Sequence, residues 1–291
     1  MRLLVQPEDG IEPVLEAVEG AERTIDMYVF RLAHRKLERA IADAVARGVA
    51  VRALIAHLNG SGDAALRALE SRLLAIGVTV SRTDEDLLRY HGKMMIVDGA
   101  ALFVLGYNFN RRDIERSRSL GLVADRKDLV AEARRLFEAD FDRKTYTPRR
   151  DTFVVSPLNS RASLLELLES ATRRLLIYDS RLTDNLMQRA LERRALAGVK
   201  VCVIGKVEKQ LRAVQVAPYP GRLHVRAIVQ DDERAFVGSQ SLRRPELDRR
   251  REIGVITDDA GVVKGITKIF ASDWADTPHS RRRSGRVRAA R

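Results

Sequence analysis

One octet occurs twice in this chain, and the duplication constrains the fold more than any other feature of its 291 residues. His91-Gly92-Lys93-Met94-Met95-Ile96-Val97-Asp98 is answered by His224-Val225-Arg226-Ala227-Ile228-Val229-Gln230-Asp231. Each copy has a histidine, a cation two places on and an aspartate seven places on. The downstream flanks repeat at the same spacing of 133 residues: Phe103 to Asn108 with Phe236 to Ser241, Arg118 to Val123 with Arg251 to Ile256, Leu136 to Phe141 with Ile269 to Trp274. Upstream, Ile25 to Tyr28 matches Leu175 to Tyr178 and Gly48 to Val51 matches Gly198 to Val201 at a spacing of 150, so the first copy holds 17 more residues before its octet. Two histidines kept at equivalent places of a duplicated module are expected to meet at one site.

Each copy reads as alternating strands and helices. In the first, strands are expected at 24–30, 49–55, around 78–80, 93–97 and 101–105, and helices at 36–47, 64–75 and 127–141. Leu37, Ala40, Ile41 and Ala44 give the 36–47 helix one apolar face, and Gly48 closes it. Asn59 to Asp63 reads as a turn with an N-cap signal. The second copy repeats the order, with strands at 152–156, 174–178, 199–204, 225–229 and 235–237 and helices at 161–171, 184–197 and 261–274. This alternation predicts an α/β fold, with a mixed, largely parallel sheet flanked by helices in each module. The polar, proline-bearing stretch from Lys144 to Arg150 marks the connection between them.

The arrangement His-x-Lys, four residues, Asp, then six residues and Gly-Ser-x-Asn is similar to the signature of the phospholipase D superfamily. The resemblance covers nearly the whole chain, since the flanks repeat as well. A single copy would be a modest clue; two copies in matching flanks are a specific one. The resemblance implies two phospholipase D-like modules, 1–146 and 147–276, related by a pseudo-twofold with both motifs at the seam, followed by a basic tail at 277–291.

The two motifs depart from the family pattern in different places. Leu105 and Gly106 stand where Gly-Ser is usual; Arg226 replaces lysine and Ser241 replaces asparagine. The resemblance implies that Glu252 holds the histidine of the opposite half, His91, whereas the matching Ser119 cannot be an anionic partner to His224. It also implies roles. His91 becomes the nucleophile and His224 the acid and then the base. Lys93 and Arg226 neutralise phosphoryl oxygens, and Asn108, Ser239 and Ser241 donate hydrogen bonds to the phosphate.

The chemistry agrees. A phosphodiester needs a nucleophile, an acid for the leaving oxygen and donors for its anionic oxygens, and histidine supplies either of the first two near neutrality. No cofactor is required, and no metal: His34, His57 and His279 lack carboxylate or cysteine neighbours at ligand spacing. Asp98 and Asp231 sit at strand-turn positions where aspartate caps backbone N–H groups, a structural assignment within the motif. Tyr107 is read equally as a substrate contact or as packing. The mixed-charge run from Arg111 to Arg116 is read as a solvated loop.

Composition narrows the setting without choosing a substrate. No stretch approaches the ~18 apolar residues of a membrane span, and the start has too short an apolar run for a secretory signal. Cys202, the one cysteine, lies between valines as a core thiol. A cytoplasmic monomer, peripheral at a membrane surface, is expected. Of the net charge of +12, half sits on the six arginines from Arg281 to Arg291, a run expected to be disordered and able to dock on anionic lipid or nucleic acid. Three readings stay open. The first is a phospholipid-cleaving phosphodiesterase, with hydrolysis or transfer and Leu87, Leu88 and Tyr90 as an apolar approach. The second is a nuclease using the same chemistry, disfavoured by an aromatic content of 5%. The third is a degenerate phosphate- or membrane-binding module.

Overall fold

The computed structural model describes residues 1–58 and 62–277. Residues 59–61 of the turn expected from Asn59 to Asp63, His279 and the arginine tail lie outside the described residues; Gly62 stands at the N-cap of the helix that begins at Asp63. Two seven-stranded sheets share one topology. In the first, β1 (Arg2–Gln6), β2 (Thr24–Val29), β3 (Ala50–Ile55), β4 (Thr79–Arg82), β5 (Met94–Val97), β6 (Ala101–Leu105) and β7 (Ser119–Ala124) lie in the order β1-β7-β6-β5-β2-β3-β4. In the second, β8 (Phe153–Val155), β9 (Arg174–Leu182), β10 (Lys200–Val207), β11 (Gln215–Ala217), β12 (Arg226–Gln230), β13 (Arg234–Gly238) and β14 (Ile253–Thr257) lie in the order β8-β14-β13-β12-β9-β10-β11.

Both sheets are mixed. Five of the seven strands in each point the same way, which is the sense in which they are largely parallel. Four of the six neighbour pairings are nevertheless antiparallel, and only β2-β3-β4 and β9-β10-β11 pair in parallel. Connection length explains one antiparallel pairing in each sheet, β5 with β6 and β12 with β13. Each octet strand returns through a tight turn, with positive φ at Asp98 and Gly99 or at Asp231 and Asp232, and a connection of three residues permits only a hairpin.

Helices α1 (Glu12–Glu19), α2 (Arg35–Ala46) and α3 (Asp63–Ala75) belong to the first sheet, with α4 (Arg111–Glu115) and α5 (Lys127–Phe141) after its octet. Their counterparts are α6 (Ser160–Glu169), α7 (Asn185–Leu196), α8 (Arg244–Asp248) and α9 (Ala260–Ala275). Helix α3 has no counterpart, and it accounts for most of the 17 extra residues. Helix α2 buries Leu37, Ala40, Ile41 and Ala44 as its periodicity dictates, and Gly48 follows it at φ 92°.

Three apolar clusters form the interior. One lies between the first sheet and α1–α3, and another between the second sheet and α6–α7. The third is shared: it joins Met94, Val104, Leu122 and Phe137 to Val229, Val237, Val255 and Phe270. Helices α5 and α9 and the inner faces of both sheets therefore bury their apolar surface together.

The seam is locked by two crossed clamps. Arg251 binds Asp140 through Nε (2.8 Å) and Nη2 (3.0 Å), and the Tyr28 hydroxyl donates to the same carboxylate at 2.5 Å. The matching Arg118 binds Asp273 at 2.9 and 3.1 Å, with Tyr178 donating at 2.6 Å. In each clamp the tyrosine and aspartate come from one half and the arginine from the other. Removing one partner of a buried pair strands the other charge, so Arg251→Met is expected to cost about 3–5 kcal/mol in urea unfolding. Adding Asp140→Leu should recover part of that loss; no recovery would mean the arginine acts through packing alone.

Candidate active site

The clamp arginines lead directly into the site. Arg251 carbonyl accepts from the backbone N–H of His91 (2.7 Å) and Gly92 (2.9 Å), and Arg118 carbonyl accepts from His224 N–H (2.9 Å). Arg89 and Tyr90 pair in parallel with Arg250 and Arg251, and Arg118 bridges Leu223. Each octet histidine is thus strapped to the opposite module one residue before the position of Glu252 or Ser119.

Glu252 is fully buried, and its two oxygens lie 3.0 and 2.9 Å from His91 Nδ1. With Nδ1–H donated to the carboxylate, the lone pair of His91 is on Nε2. The His91 ring also meets Phe30 edge-on, with centroids 4.4 Å apart. Burial, then Lys93 and Arg226, hold the imidazole well below its usual pKa. Burial raises the Glu252 carboxyl, with Lys93 opposing it.

Lys93 is buried and donates to the His91 carbonyl. Its ammonium is pushed down to about 7, chiefly by burial, which Glu252 counters and Arg226 reinforces. Arg226 repeats the arrangement, donating from Nη1 to the His224 carbonyl at 3.0 Å. Arg226 acts on His91, and Lys93 on His224, so each motif's cation reaches the field of the other's histidine.

His224 has the anionic neighbour that the sequence did not provide at Ser119. Asp113 Oδ2 lies 3.6 Å from His224 Nδ1, and Ser119 Oγ donates to the His224 carbonyl at 3.2 Å. The run from Arg111 to Arg116 is therefore not wholly a solvated loop. It forms α4, and Asp113 faces inward, 3% exposed. The signal was available: at the spacing of 133, Asp113 matches Glu246, so both copies keep a buried acid inside a mixed-charge run. Against burial, which raises it, His224, Asn108 and Arg222 hold the Asp113 carboxyl well below the usual range. His224 is itself lowered by burial and then Arg226, with Asp113 opposing.

The three expected phosphate donors are all engaged elsewhere. Asn108 Nδ2 donates to Asp113 (2.6 Å), and Ser241 Oγ donates to the buried Asp179 (2.9 Å). Ser239 Oγ accepts from Ile253 N–H at 3.1 Å and lowers Glu252 by a hydrogen bond. Gly106, the counterpart of Ser239, has no room for a side chain: a Cβ there would lie 2.7 Å from the Leu120 carbonyl oxygen. Asp98 accepts from the N–H groups of Glu22, Arg23 and Thr24 at 2.7–3.0 Å. Asp231 accepts from Thr172, Arg173 and Arg174, each at 2.7 Å. Tyr107 is fully buried and accepts from Gln6 at 3.2 Å, so it packs. Of the apolar approach, only Leu88 is exposed; Tyr90 is buried with its hydroxyl on Asp86. Among the described residues, no helix is long and apolar enough to cross a membrane, and no group of three or more His, Cys, Asp or Glu is placed to hold a metal ion.

A family model described as "Cardiolipin synthase, PLD-like domain" matches residues 14–141 and 164–274. The chain belongs to this phospholipase D-like family. Among curated relatives it is 29% identical over 177 residues to the mitochondrial cardiolipin hydrolase of Homo sapiens, covering 59% of this chain and 65% of that one. The dog (Canis lupus familiaris) protein of the same name is 29% identical over 152 residues, 50% of this chain and 55% of that one. The chain thus spans less than two thirds of the length of either relative. Among solved structures, polyphosphate kinase from Porphyromonas gingivalis superposes with TM-score 0.78 at 18% identity, covering 94% of this chain and 50% of that one. Phosphatidylserine synthase from Haemophilus influenzae superposes with TM-score 0.71 at 11% identity, covering 94% and 86%. Both likenesses show the family's two-module fold.

The lowered imidazoles have a consequence for stability. Between the folded and the unfolded pKa, the unfolded chain binds protons that the folded chain does not. The histidines' contribution is complete above about 6.5 and is lost as pH falls. Urea unfolding from pH 7.5 to 5.5 should therefore destabilise wild type more than His91→Asn/His224→Asn, by at most about 1.4 kcal/mol per histidine per pH unit. Equal losses would show that the rings titrate normally.

Proposed function

We propose that this chain is a metal-independent phosphodiesterase that cleaves phospholipid headgroups through a covalent phosphohistidine on His91. The observation that carries the reading is the unequal support of the two imidazoles. Both oxygens of Glu252 hold His91 Nδ1, whereas His224 stands 3.6 Å from an aspartate already bound to Asn108 and Arg222. Close contact fixes the His91 tautomer and favours positive charge on its ring as a bond to phosphorus forms. The looser arrangement suits a ring that must gain and lose a proton.

In the first step His91 Nε2 attacks phosphorus, the bond to the leaving oxygen breaks, and His224 gives that oxygen its proton. The anionic phosphodiester favours the imidazolium of His224 by opposite charge, offsetting what burial takes away. In the second step water attacks phosphorus and passes its proton to His224, and the N–P bond breaks. An acceptor alcohol in place of water would give transfer. Lys93 and Arg226 supply charge for the phosphoryl oxygens. Because both octets lie in one chain, a single copy completes the site. The lipid substrate is supported by the names of the relatives, a cardiolipin hydrolase and a phosphatidylserine synthase.

The test is turnover of bis(p-nitrophenyl) phosphate in excess EDTA, followed by headgroup release from phospholipid vesicles. Wild type should turn over, and His91→Asn should lose about a thousandfold or more. His224→Asn should accumulate phosphate on His91; label on His224 would reverse the two roles. Cleavage of single-stranded DNA with vesicles untouched would move the substrate to nucleic acid.

Lys93 is charged below its pKa of about 7 and neutral above it, so phosphate binding weakens as pH rises through that value. With bis(p-nitrophenyl) phosphate, whose acidic leaving group needs no proton from His224, we expect kcat/KM of the wild type to fall on an alkaline limb near pH 7. Lys93→Arg should move that limb up by at least one unit. An unmoved limb would assign it to another group.

A further inference from the structure

The two halves of the site differ in how their flanking arginines are neutralised. Arg31 and Arg89 lie against Phe30, their guanidinium carbons 5.5 and 5.6 Å from the ring centroid. That ring also contacts His91, and the Lys93 ammonium lies 5.2 Å from its centroid. Among the described residues neither Arg31 nor Arg89 has a carboxylate partner, and the Nε of each is buried without a hydrogen bond. Residues 59–61 and 278–291 contain no aspartate or glutamate side chain that could supply one.

The duplication provides an internal control. At the repeat spacings, Arg31 corresponds to Arg181 and Arg89 to Arg222. Arg181 lies 3.9 Å from Glu208, and Arg222 is 2.6 Å from Asp113. Phe30 corresponds to Ser180, so the aromatic plate is also confined to the first half. At these two positions, then, the arginines lack a carboxylate on the His91 side and have one on the other, weakly at the exposed Arg181 and closely at Arg222.

Charge balance gives their meaning. Lys93 and Arg226 answer Glu252 and the single negative charge of a phosphodiester, while Arg222 answers Asp113. Arg31 and Arg89 remain over. Two partly buried guanidinium groups within each other's field repel, and a planar fork of donors matches phosphate oxygens. Burial and then Arg250, with Arg31 adding to them and Glu252 opposing, lower the Arg89 pKa, which agrees with the crowding.

Resting on the phosphodiesterase reading above, we propose that Arg31 and Arg89, backed by Phe30, form a subsite for a second phosphate of the substrate on the His91 side. The enzyme would then prefer phosphodiesters that carry another phosphate over those that carry one. A second phosphate can come from a bisphosphorylated glycerol headgroup or from the next link of a polynucleotide, and the test separates these sources.

The experiment is calorimetric titration of the full chain with two matched ligand pairs. One pair is glycerol 1,3-bisphosphate against glycerol 3-phosphate; the other is thymidine 3′,5′-bisphosphate against thymidine 5′-monophosphate. Wild type should bind the bisphosphate at least tenfold more tightly in one pair or both. The glycerol pair alone points to a lipid source, and the thymidine pair alone to a nucleic acid. Arg31→Gln/Arg89→Gln should reduce the discrimination to within about twofold, whereas Arg181→Gln should keep it. The single variants serve if the double variant does not fold. The subsite is overturned if wild type discriminates in neither pair, if Arg31→Gln/Arg89→Gln still discriminates, or if Arg181→Gln loses as much. Binding requires no turnover, so failure here is distinct from a failure to hydrolyse bis(p-nitrophenyl) phosphate.

Discussion

The buried contact between Arg251 and Asp140, with its twin between Arg118 and Asp273, is what the rest of the site depends on. An arginine placed in an apolar interior must find a carboxylate, and here that carboxylate is in the other half. The requirement fixes the backbone of the strand edge on which the arginine sits. The next residue along that edge is Glu252 in one half and Ser119 in the other. The seam thereby places Glu252 against His91, because the carbonyl of Arg251, one residue earlier, holds the backbone of His91 and Gly92.

The second theme is divergence within symmetry. Strand order, hairpin turns, clamps and octets all repeat, yet most of the groups around the two histidines differ between the halves. Glu252 faces Ser119, Lys93 faces Arg226, Asn108 faces Ser241, Ser239 faces Gly106, and Phe30 faces Ser180. Physical replacements accompany two of these changes. Asp113 supplies the charge that Ser119 lacks, and the absence of a side chain at Gly106 follows from a carbonyl occupying its space. The two-step displacement proposed for this chain would ask opposite things of the two imidazoles, and the same fold offers each a different environment.

Much of this was readable in the residues, because duplication supplies its own alignment. The octets, their strands and the pairing of His91 with Glu252 follow from spacing and resemblance, and α5 runs from Lys127 to Phe141 as its periodicity requires. Strand β1 and helix α1 escaped because Pro7 and Pro13 break the local pattern, although Pro7 does repeat, at Pro157, at the spacing of 150. Which neighbours pair antiparallel inside the mixed sheets is not legible, since alternation of elements does not reveal which strands a tight turn joins. Asp113 escaped for a different reason. Its neighbours Arg111, Arg112 and Glu115 carry the signature of a solvated surface, and burial of one residue in such a run is decided by tertiary contacts with Arg222 and Asn108. Ser241 and Asn108 look like free donors in a sequence; only coordinates show that Asp179 and Asp113 have claimed them.

The apolar cluster shared by the two sheets carries a consequence for how the chain comes apart. Each half packs part of the inner face of its sheet, with Phe137 or Phe270 beside it, into a cluster that the other half completes. A cut within the connection at 142–152 would not release two independent domains. It would release two half-cores with open greasy faces, each complementary to the partner it had lost. Unfolding should accordingly be a single cooperative event in which the core, both clamps and the histidine pocket vanish at one temperature. Any substitution that loosens this central layer would silence the site without touching a residue in it.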